Sequence, residues 1–380
     1  LANCTPEAVE VKKLLLSTFI AGAQKMDPAE AVAYIDSLGI GTVTDPAMQL
    51  KEAEAILLLM GECPAEAVMR HPNMGEAVLQ QWIEQKGFAA AMGIHDEDFA
   101  EKVIEQFISC YECGATPNPC IQCNRHLKFD RFLRRAKELE CDVIATGHYA
   151  RIRYEEETGR WLLLKAVDAA KDQSYFLYAL TQEQLSHVRF PLGELTKTEA
   201  RKIAEAQGFI NARKRDSQDI CFVPDGDYMA FLRRYTGKEY PEGNFLDLKG
   251  AVVGRHSGAV GYTLGQRKGL GLAMGTPVYV CGKNMTANTV TVGPNEALFH
   301  RALRANDWFW FPFPSLTGPL RIKAKARSRM TEQSATVYPE ENGFARVEFD
   351  EPQRALTPGQ AVVLYDGDLV VGGGTITEAL

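Results

Sequence analysis

The chain has 380 residues, a formal net charge of −7 and 46% hydrophobic residues, which is an ordinary globular composition. This length exceeds what one hydrophobic core usually organises, so two or three domains are expected. The apolar run of residues 14–20 is too short to cross a bilayer and follows no basic segment with a cleavage site. These features argue against a membrane-spanning or exported protein and predict a cytoplasmic one.

The first 95 residues predict a helical region whose role the sequence does not define. They are rich in Ala, Glu, Leu and Met, and helical periodicity is present over residues 9–20, 28–38 and 48–60. The Asp-Pro pairs at residues 27–28 and 45–46 resemble an N-cap followed by Pro in the first helical turn.

The charge is divided unevenly along the chain. Residues 1–120 hold 7 Lys and Arg against 18 Asp and Glu, whereas residues 121–215 hold 18 against 13. A basic middle segment indicates a surface for a polyanion, and a set of solvated helix faces is the alternative explanation.

Nine cysteines are present, and four of them lie between residues 110 and 123. A secreted disulfide framework would be denser and shorter, so reduced thiols with a redox, metal-binding or nucleophilic role are favoured. Two of the four lie in residues 116–125, called here the cysteine segment, with the sequence TPNPCIQCNR.

The prolines of the cysteine segment fix φ and bias the residue before each of them away from the α region. We therefore predict that no helix runs through the segment and that Cys120 and Cys123 lie at a rigid turn. The amphipathic run of residues 129–136 predicts a helix directly afterwards, and a thiol near a helix N-terminus tends to have a lowered pKa. This arrangement predicts a reactive thiol.

A short apolar run ending in Thr-Gly-His at residues 146–148 is typical of a buried parallel strand. Such a strand delivers Gly147 and His148 to the carboxyl edge of a sheet, where α/β proteins bind ligands. Gly147 would let a ligand approach the backbone; alternatively, it only makes a turn that His148 caps. Farther along, residues 171–176 predict the head of a helix, and residues 196–199 have capping-box spacing ahead of a helix at 200–207.

From about residue 250 the pattern changes to short β segments separated by Gly and Asn turns. Such evenly spaced strands predict a β-barrel tail, with strands at residues 251–253, 278–281, 289–292, 321–326, 335–337, 345–349, 361–365 and 370–375. The Gly-rich, basic residues 261–271 between them could hold a phosphate backbone or form only a mobile loop.

Six separated motifs carry a resemblance to a known family. They are TPNPCIQCN (116–124), ATGHYAR (145–151), KDQSYF (171–176), DSQDICF (216–222), YTLGQRKG (262–269) and TPGQ (357–360). In order and approximate spacing they resemble the bacterial tRNA-specific 2-thiouridylases, the MnmA family, from about residue 95 to residue 380.

The resemblance implies an α/β plus β fold. A partial doubly wound domain, similar to the adenine nucleotide α-hydrolases, would be followed by a small central domain and a C-terminal β-barrel. We expect a helical region at residues 1–95, an incomplete PP-loop-type catalytic domain at 96–215, a central tRNA-binding domain at 216–300 and the barrel at 301–380.

The resemblance also implies a reaction and its reactive residues. ATP adenylates the 2-oxygen of the wobble uridine of a tRNA, with Mg²⁺ implied, and a persulfide sulfur then replaces that oxygen. In the family, the cysteine that matches Cys221 carries the persulfide, and the one that matches Cys123 is the nucleophile that closes a disulfide with it. A sulfur-relay protein or a cysteine desulfurase is the expected sulfur donor.

Further site residues follow from the same resemblance. Gly147 matches a nucleotide-binding position, and Asn118, Pro119 and Cys120 match the residues against the target base. Position 120 is Asp in some family members. The residues that match tRNA-contacting positions are His148, Lys171, Asp172, Gln173, Arg327, Ser328 and Gln360.

The chain departs from the family in one motif. The loop Ser-Gly-Gly-x-Asp-Ser, which holds the ATP pyrophosphate in the family, does not occur in the 380 residues. Three explanations are open: a second polypeptide supplies the ATP half, the nucleotide is held differently, or the chain is a tRNA-binding homologue without adenylation activity.

A metal-dependent thiolase variant is a further alternative. Cys110, Cys113, Cys120 and Cys123 form two Cys-x-x-Cys pairs that could hold zinc, although their separation is shorter than in zinc ribbons. Cys120, Cys123 and Cys221 could instead hold an iron-sulfur cluster with one open iron.

Overall fold

The computed structural model describes residues 99–209, 212, 220–223 and 226–380. Contacts divide the chain into two units, one of residues 1–98 with 134–141 and one of residues 99–133 with 142–380. The helices predicted within residues 1–95 lie outside the described residues. In the described ranges, no helix combines the length and apolar character needed to cross a membrane.

The described helices are short and precede most of the strands. They are α1 (Gln106–Glu112), α2 (Pro119–Gln122), α3 (Phe132–Glu138), α4 (Gln182–Ser186), α5 (Lys197–Ala206) and α6 (Tyr228–Thr236). Two π-helical segments, Ala100–Glu105 and Cys123–Arg131, lead directly into α1 and α3. Residues 119–138 therefore form one continuous helical run.

The prediction that no helix runs through the cysteine segment is wrong. Asn118 is extended, as predicted, but the helical run begins at Pro119 immediately after it. Pro is suited to the first helical position because its fixed φ matches the helix and its missing N–H has no helical partner there. Cys120 and Cys123 accordingly lie within the first two helical turns and not in a turn before the helix.

Two other helix predictions have different outcomes. The capping box at Thr196 and Glu199 is present and begins α5, which confirms that prediction. The helix head predicted at residues 171–176 is wrong, since the structure has only a short 3₁₀ turn, Ser174–Phe176. The Asp172 carboxylate explains this, because it accepts hydrogen bonds from the backbone N–H groups of Ala166 and Ser174 and so favours a local turn.

The strands of the described residues form three sheets. They are β1 (Ile144–Ala145), β2 (Ala150–Glu155), β3 (Arg160–Lys165), β4 (Val188–Arg189), β5 (Gly243–Leu246), β6 (Val252–His256), β7 (Tyr279–Asn284), β8 (Thr289–Gly293), β9 (Phe299–Trp310), β10 (Leu320–Lys325), β11 (Gln333–Pro339), β12 (Ala345–Arg354), β13 (Ala361–Asp366) and β14 (Leu369–Ala379). β1 pairs with β4 in parallel, which confirms a parallel strand just before Gly147.

The two larger sheets belong to the β part of the fold. A four-stranded sheet has the order β6-β5-β8-β7, and its core includes Phe245, Val280 and Val290. An eight-stranded sheet has the order β13-β10-β11-β12-β9-β14-β3-β2, and β13 also pairs with β14. This last pairing closes six strands into a barrel, onto which the hairpin β2–β3 adds through β14. The predicted α/β plus β architecture is confirmed.

Candidate active site

The cysteine segment presents two thiols at the start of its helix. The Cys120 side chain is exposed to solvent, whereas that of Cys123 is half-buried. Although Cys120 keeps solvent-exposed surface, the surrounding protein partly desolvates both sulfur atoms and so raises the pKa of both thiols; the Lys128 ammonium lowers it by a smaller amount. The lowered pKa predicted from the helix N-terminus is therefore wrong in direction, because desolvation outweighs the favourable charge.

Cys221 is distant in sequence from these two thiols but lies within the range of a charge interaction with them. A negative charge on Cys221 raises the pKa of both Cys120 and Cys123, by less than burial does. Its neighbour Phe222 packs edge-on against Phe107 of α1, with ring centroids 5.2 Å apart. The exposed Cys221 thiol is thus attached to the aromatic core around α1, and its pairing with Cys123 stays a prediction from the resemblance.

His148 is buried and does not lie at the surface. Its side chain is 8% exposed, its ring packs 5.4 Å from that of Phe129, and its Nδ1 lies 2.7 Å from the Thr146 hydroxyl. Burial lowers the pKa of His148 to about 3, so the imidazole stays neutral at physiological pH. The adjacent Gly147 is exposed, and a Cβ there would meet only an ordinary contact with Leu192 at 3.7 Å.

The polar residues 171–173 stabilise the backbone that follows β1. The Gln173 side-chain oxygen accepts a hydrogen bond from the Tyr149 backbone N–H at 2.9 Å, and the Gln173 backbone N–H donates to the Tyr149 carbonyl at 2.8 Å. Asp172 also accepts a hydrogen bond from the Ser174 hydroxyl at 2.7 Å. Asp172 and Gln173 therefore stabilise the loop, while the half-buried Lys171 begins it.

Three predicted residues of the barrel form a second group. Arg327 donates from Nη2 to the Ala355 carbonyl and to the Thr357 hydroxyl, both at 2.7 Å, and half-buried Ser328 follows it in a turn. Gln360 donates from Nε2 to the Thr116 carbonyl at 2.9 Å. The group thus reaches the cysteine segment through Gln360.

Two residues that sequence reasoning missed fix the helix after Cys123. Asn124 is 3% exposed and donates from Nδ2 to the Phe176 carbonyl at 2.9 Å. Arg125 forms a two-point ion pair with Asp307 of β9 and stacks over the Phe309 ring at 4.8 Å. Asn and Arg directly after a Cys-x-x-Cys were the available signal, but their partners are 52 and 182 residues away.

A cavity of about 220 Å³ lies behind the cysteine segment. Its wall combines α1, the start of the cysteine helix and the barrel, and it includes Val103, Gln106, Phe107, Cys110, Pro117, Asn118, Pro119, Ile121, Gln122, Tyr178, Gly359, Ala361 and Thr375. Asn118 and Pro119, both predicted to meet the target base, line this cavity; Asn118 is half-buried, and Pro119 is buried.

Within the described ranges, no three His, Cys, Asp or Glu side chains are arranged to hold a metal ion. Neither the paired cysteines at residues 110–123 nor the set of Cys120, Cys123 and Cys221 has the arrangement of a metal centre there. The two metal-site alternatives remain predictions without structural support. The described residues also do not provide a carboxylate cluster for Mg²⁺.

Family comparisons cover most of the chain. A family model described as the tRNA methyl transferase HUP domain matches residues 26–225. The tRNA methyl transferase PRC-barrel domain matches residues 229–294, and the aminomethyltransferase beta-barrel domain matches residues 300–376. The HUP match begins well before residue 95, so the similarity extends farther toward the N-terminus than the six motifs indicate.

Individual relatives agree with these matches. The tRNA-specific 2-thiouridylase MnmA of Symbiobacterium thermophilum is 52% identical over 283 residues, which cover 74% of this chain and 73% of the relative. The protein of the same name from Clostridioides difficile is 48% identical over 75% of this chain and 79% of its own length. MnmA 1 of a Thermoanaerobacter species is 43% identical over 88% of this chain and 90% of its own length. The chain belongs to the family of tRNA-specific 2-thiouridylases, MnmA.

Proposed function

We propose that the chain is a sulfurtransferase that replaces the 2-oxygen of the wobble uridine of tRNA with sulfur. The observation that carries this proposal is the 43–52% identity to tRNA-specific 2-thiouridylases MnmA over 74–88% of the chain, with Cys221 within the range of a charge interaction with Cys123. Two thiols that are far apart in sequence and can reach one another suit a reaction in which one carries sulfur and the other releases it.

The chemistry assigns a distinct role to each thiol. Family membership implies the use of ATP, which is a substrate here: the uridine 2-oxygen attacks the α-phosphorus and pyrophosphate leaves. The terminal sulfur of a Cys221 persulfide then forms a bond to C2, and AMP leaves with the oxygen. The Cys123 thiolate attacks the inner sulfur of Cys221, so the products are 2-thiouridine and a Cys123–Cys221 disulfide. A thiol reductant returns both cysteines to thiols.

The remaining predicted residues receive binding roles in this proposal. Gly147 lies at the carboxyl end of β1, where an exposed backbone suits an approaching nucleotide. Asn118, Pro119 and Cys120 are assigned to the target base. The residues assigned to tRNA are His148, Lys171, Asp172, Gln173, Arg327, Ser328 and Gln360. Because the described residues do not form a site for Mg²⁺, we derive no step through that ion.

The proposed sulfur donor is a sulfur-relay protein or a cysteine desulfurase. Cys221 is solvent-exposed and can accept sulfur from an external protein, whereas half-buried Cys123 is less accessible. This difference in exposure supports Cys221 as the entry point for sulfur and Cys123 as the internal nucleophile.

A nucleoside analysis tests the proposal. Purified protein is incubated with unmodified tRNA, ATP and a cysteine desulfurase supplied with cysteine, and 2-thiouridine is measured by mass spectrometry. We expect 2-thiouridine from the wild type, none from Cys123→Ser or Cys221→Ser, and the wild-type amount from the control Cys113→Ser.

Two outcomes would contradict the proposal. Folded wild-type protein that forms no 2-thiouridine would refute the activity, and so would full activity of Cys123→Ser. If the wild type binds tRNA but releases no pyrophosphate from ATP, the chain is instead a tRNA-binding homologue without adenylation activity.

A further inference from the structure

The C-terminal barrel contacts the cysteine segment on both sides of its two thiols. Gln360 reaches the residues before Cys120, and Asp307 reaches the residue two positions after Cys123. We propose that these two barrel residues are positioning residues: they hold the helical turn that carries Cys120 and Cys123 in the position from which its thiols react. This inference rests on the proposed function of the thiols and adds a second role to the tRNA contact assigned to Gln360.

The first contact meets a specific need of the backbone. Pro117 and Pro119 have no N–H, so the stretch between Thr116 and the helix start cannot form a regular hydrogen-bond ladder. Gln360 supplies the missing donor, since its Nε2 lies 2.9 Å from the Thr116 carbonyl oxygen and 3.4 Å from that of Pro117. The Thr116 N–H in turn donates to the Pro358 carbonyl at 2.8 Å.

The loop that carries Gln360 is itself hydrogen-bonded to strand β14. The Gly359 N–H donates to the Ile376 carbonyl of β14 at 2.8 Å, and the Ile376 N–H donates to the Gln360 carbonyl at 2.8 Å. Gly359 has φ of +86°, and a Cβ there would lie 2.9 Å from the Cys110 sulfur and 3.0 Å from the Thr116 oxygen. Only glycine allows such a close approach, so the loop and the cysteine segment pack backbone to backbone.

The second contact fixes the helix beyond Cys123. The two terminal guanidinium nitrogens of Arg125, Nη1 and Nη2, donate to the two carboxylate oxygens of Asp307, with Nη2 and Oδ1 3.2 Å apart. Asp307 has φ of +53° and lies where the β9–β14 register shifts between Gly373 and Thr375. A two-point pair of planar groups restricts orientation as well as distance, even where partial exposure limits its contribution to stability.

The two contacts have a joint consequence for the reaction. With the Thr116 and Pro117 carbonyls bonded to Gln360 and the Arg125 side chain bonded to Asp307, the helical turn between them has little freedom to move relative to the barrel. Attack of the Cys123 thiolate on the Cys221 sulfur requires a short approach along the sulfur–sulfur axis, and small displacements slow such steps strongly. The barrel therefore sets the rate of sulfur release without contacting the reacting atoms.

Two substitutions with matched controls test this inference. Gln360→Glu removes the donor at nearly constant size, and Asp307→Asn removes the charge of the ion pair. Their controls are Gln353→Glu, a buried barrel amide that donates to the Glu351 carbonyl, and Asp350→Asn, which loses the comparable two-point pair with Arg321. Thermal unfolding first establishes that each variant is folded.

Two rates are then compared. The first is single-turnover formation of 2-thiouridine at saturating tRNA; the second is closure of the Cys123–Cys221 disulfide with diamide in the absence of tRNA, followed by peptide mass spectrometry. We expect both rates to fall roughly tenfold in Gln360→Glu and Asp307→Asn and to be unchanged in the controls. The tRNA affinity of Asp307→Asn should stay within about twofold of wild type, and saturating tRNA separates any loss of tRNA affinity in Gln360→Glu from its effect on the rate.

The inference is overturned if the folded variants close the disulfide at the wild-type rate. It is also overturned for Gln360 if that variant only weakens tRNA binding and keeps the saturated rate. Failure of the proposed function is a separate result, because a wild type that forms no 2-thiouridine leaves the disulfide measurement, and with it the test of the barrel contacts, intact.

Discussion

The Asn124 side chain donates a 2.9 Å hydrogen bond to the backbone carbonyl of Phe176, which joins the helix of Cys123 to the 3₁₀ turn of residues 174–176. Asn124 is 3% exposed, and within the described part of the chain its Oδ1 has no hydrogen-bond partner. A single buried amide thus connects two of the six sequence motifs directly beside the proposed nucleophile.

We expect Asn124→Asp to destabilise the protein by about 1–3 kcal/mol, because an ionised carboxylate cannot donate to the Phe176 carbonyl. Burial raises the pKa of such a carboxyl above its unfolded value, so the free energy of unfolding should fall further as the pH rises from 5 to 8. Urea unfolding at both pH values measures this. The exposed Asn342→Asp is the control, and equal stabilities of the two variants would contradict the expectation.

His148 should make folding sensitive to acid. Its folded pKa of about 3 lies below the usual 6.5, so the neutral imidazole contributes stability that is complete above pH 6.5 and is lost as the pH falls toward 3. Each pKa unit corresponds to about 1.4 kcal/mol. We expect His148→Gln to be less stable at pH 7 and to have a flatter dependence of unfolding free energy on pH between 6.5 and 4. A slope equal to that of wild type, with His300→Gln as control, would refute this.

The thiols of Cys120 and Cys123 should react slowly at neutral pH, since burial raises the pKa of both. Removing the Lys128 ammonium should raise the pKa of both further, so Lys128→Gln is expected to lower the rate of alkylation by iodoacetamide at pH 8 by roughly threefold. Cys221→Ser should lower the pKa of Cys123 and so raise its alkylation rate, because a charge on Cys221 raises that pKa. Peptide mass spectrometry follows each site, with Lys323→Gln as control; an unchanged rate in Lys128→Gln would contradict this prediction.

Lys283 carries a buried ammonium group that has no hydrogen-bond partner within the described part of the chain. Burial lowers the pKa of Lys283 from 10.5 to about 8, so the folded state gains stability as the pH rises from 8 to 10.5 and bears a cost below pH 8. We expect Lys283→Met to raise the free energy of unfolding at pH 7 by about 1–3 kcal/mol, and this gain to shrink by pH 10. Chemical unfolding at both pH values tests this against the exposed control Lys249→Met, and a destabilised Lys283→Met would refute it.

Local patterns predicted the features that depend on neighbouring residues. The capping box at Thr196 and the parallel strand before Gly147 are of this kind, and the eight strands predicted after residue 250 each overlap an observed strand. The family resemblance added the prediction that Cys123 works with Cys221, which no local pattern contains.

The missed features depend on distant partners. β9 (Phe299–Trp310) has charged residues and a positive φ at Asp307 instead of a regular alternation, and it forms a strand because β12 and β14 flank it. The hydrogen bonds from Asn124 and Gln360 are equally invisible to periodicity, since each reaches a backbone carbonyl at least 52 residues away. Pro119 was misread because proline breaks a helix interior but suits its first position.

The attachment of the β2–β3 hairpin to β14 links the order of synthesis to the order of folding. Leu163 and Leu164 of β3 pair with Val370 and Leu369, so this strand edge stays unpaired on the ribosome until residue 370 has emerged. An open strand edge is a site for aggregation, and pairing across about 200 residues forms slowly. Nascent chains that stop before residue 369 should therefore depend on chaperones, because β3 lacks this partner until β14 has been made.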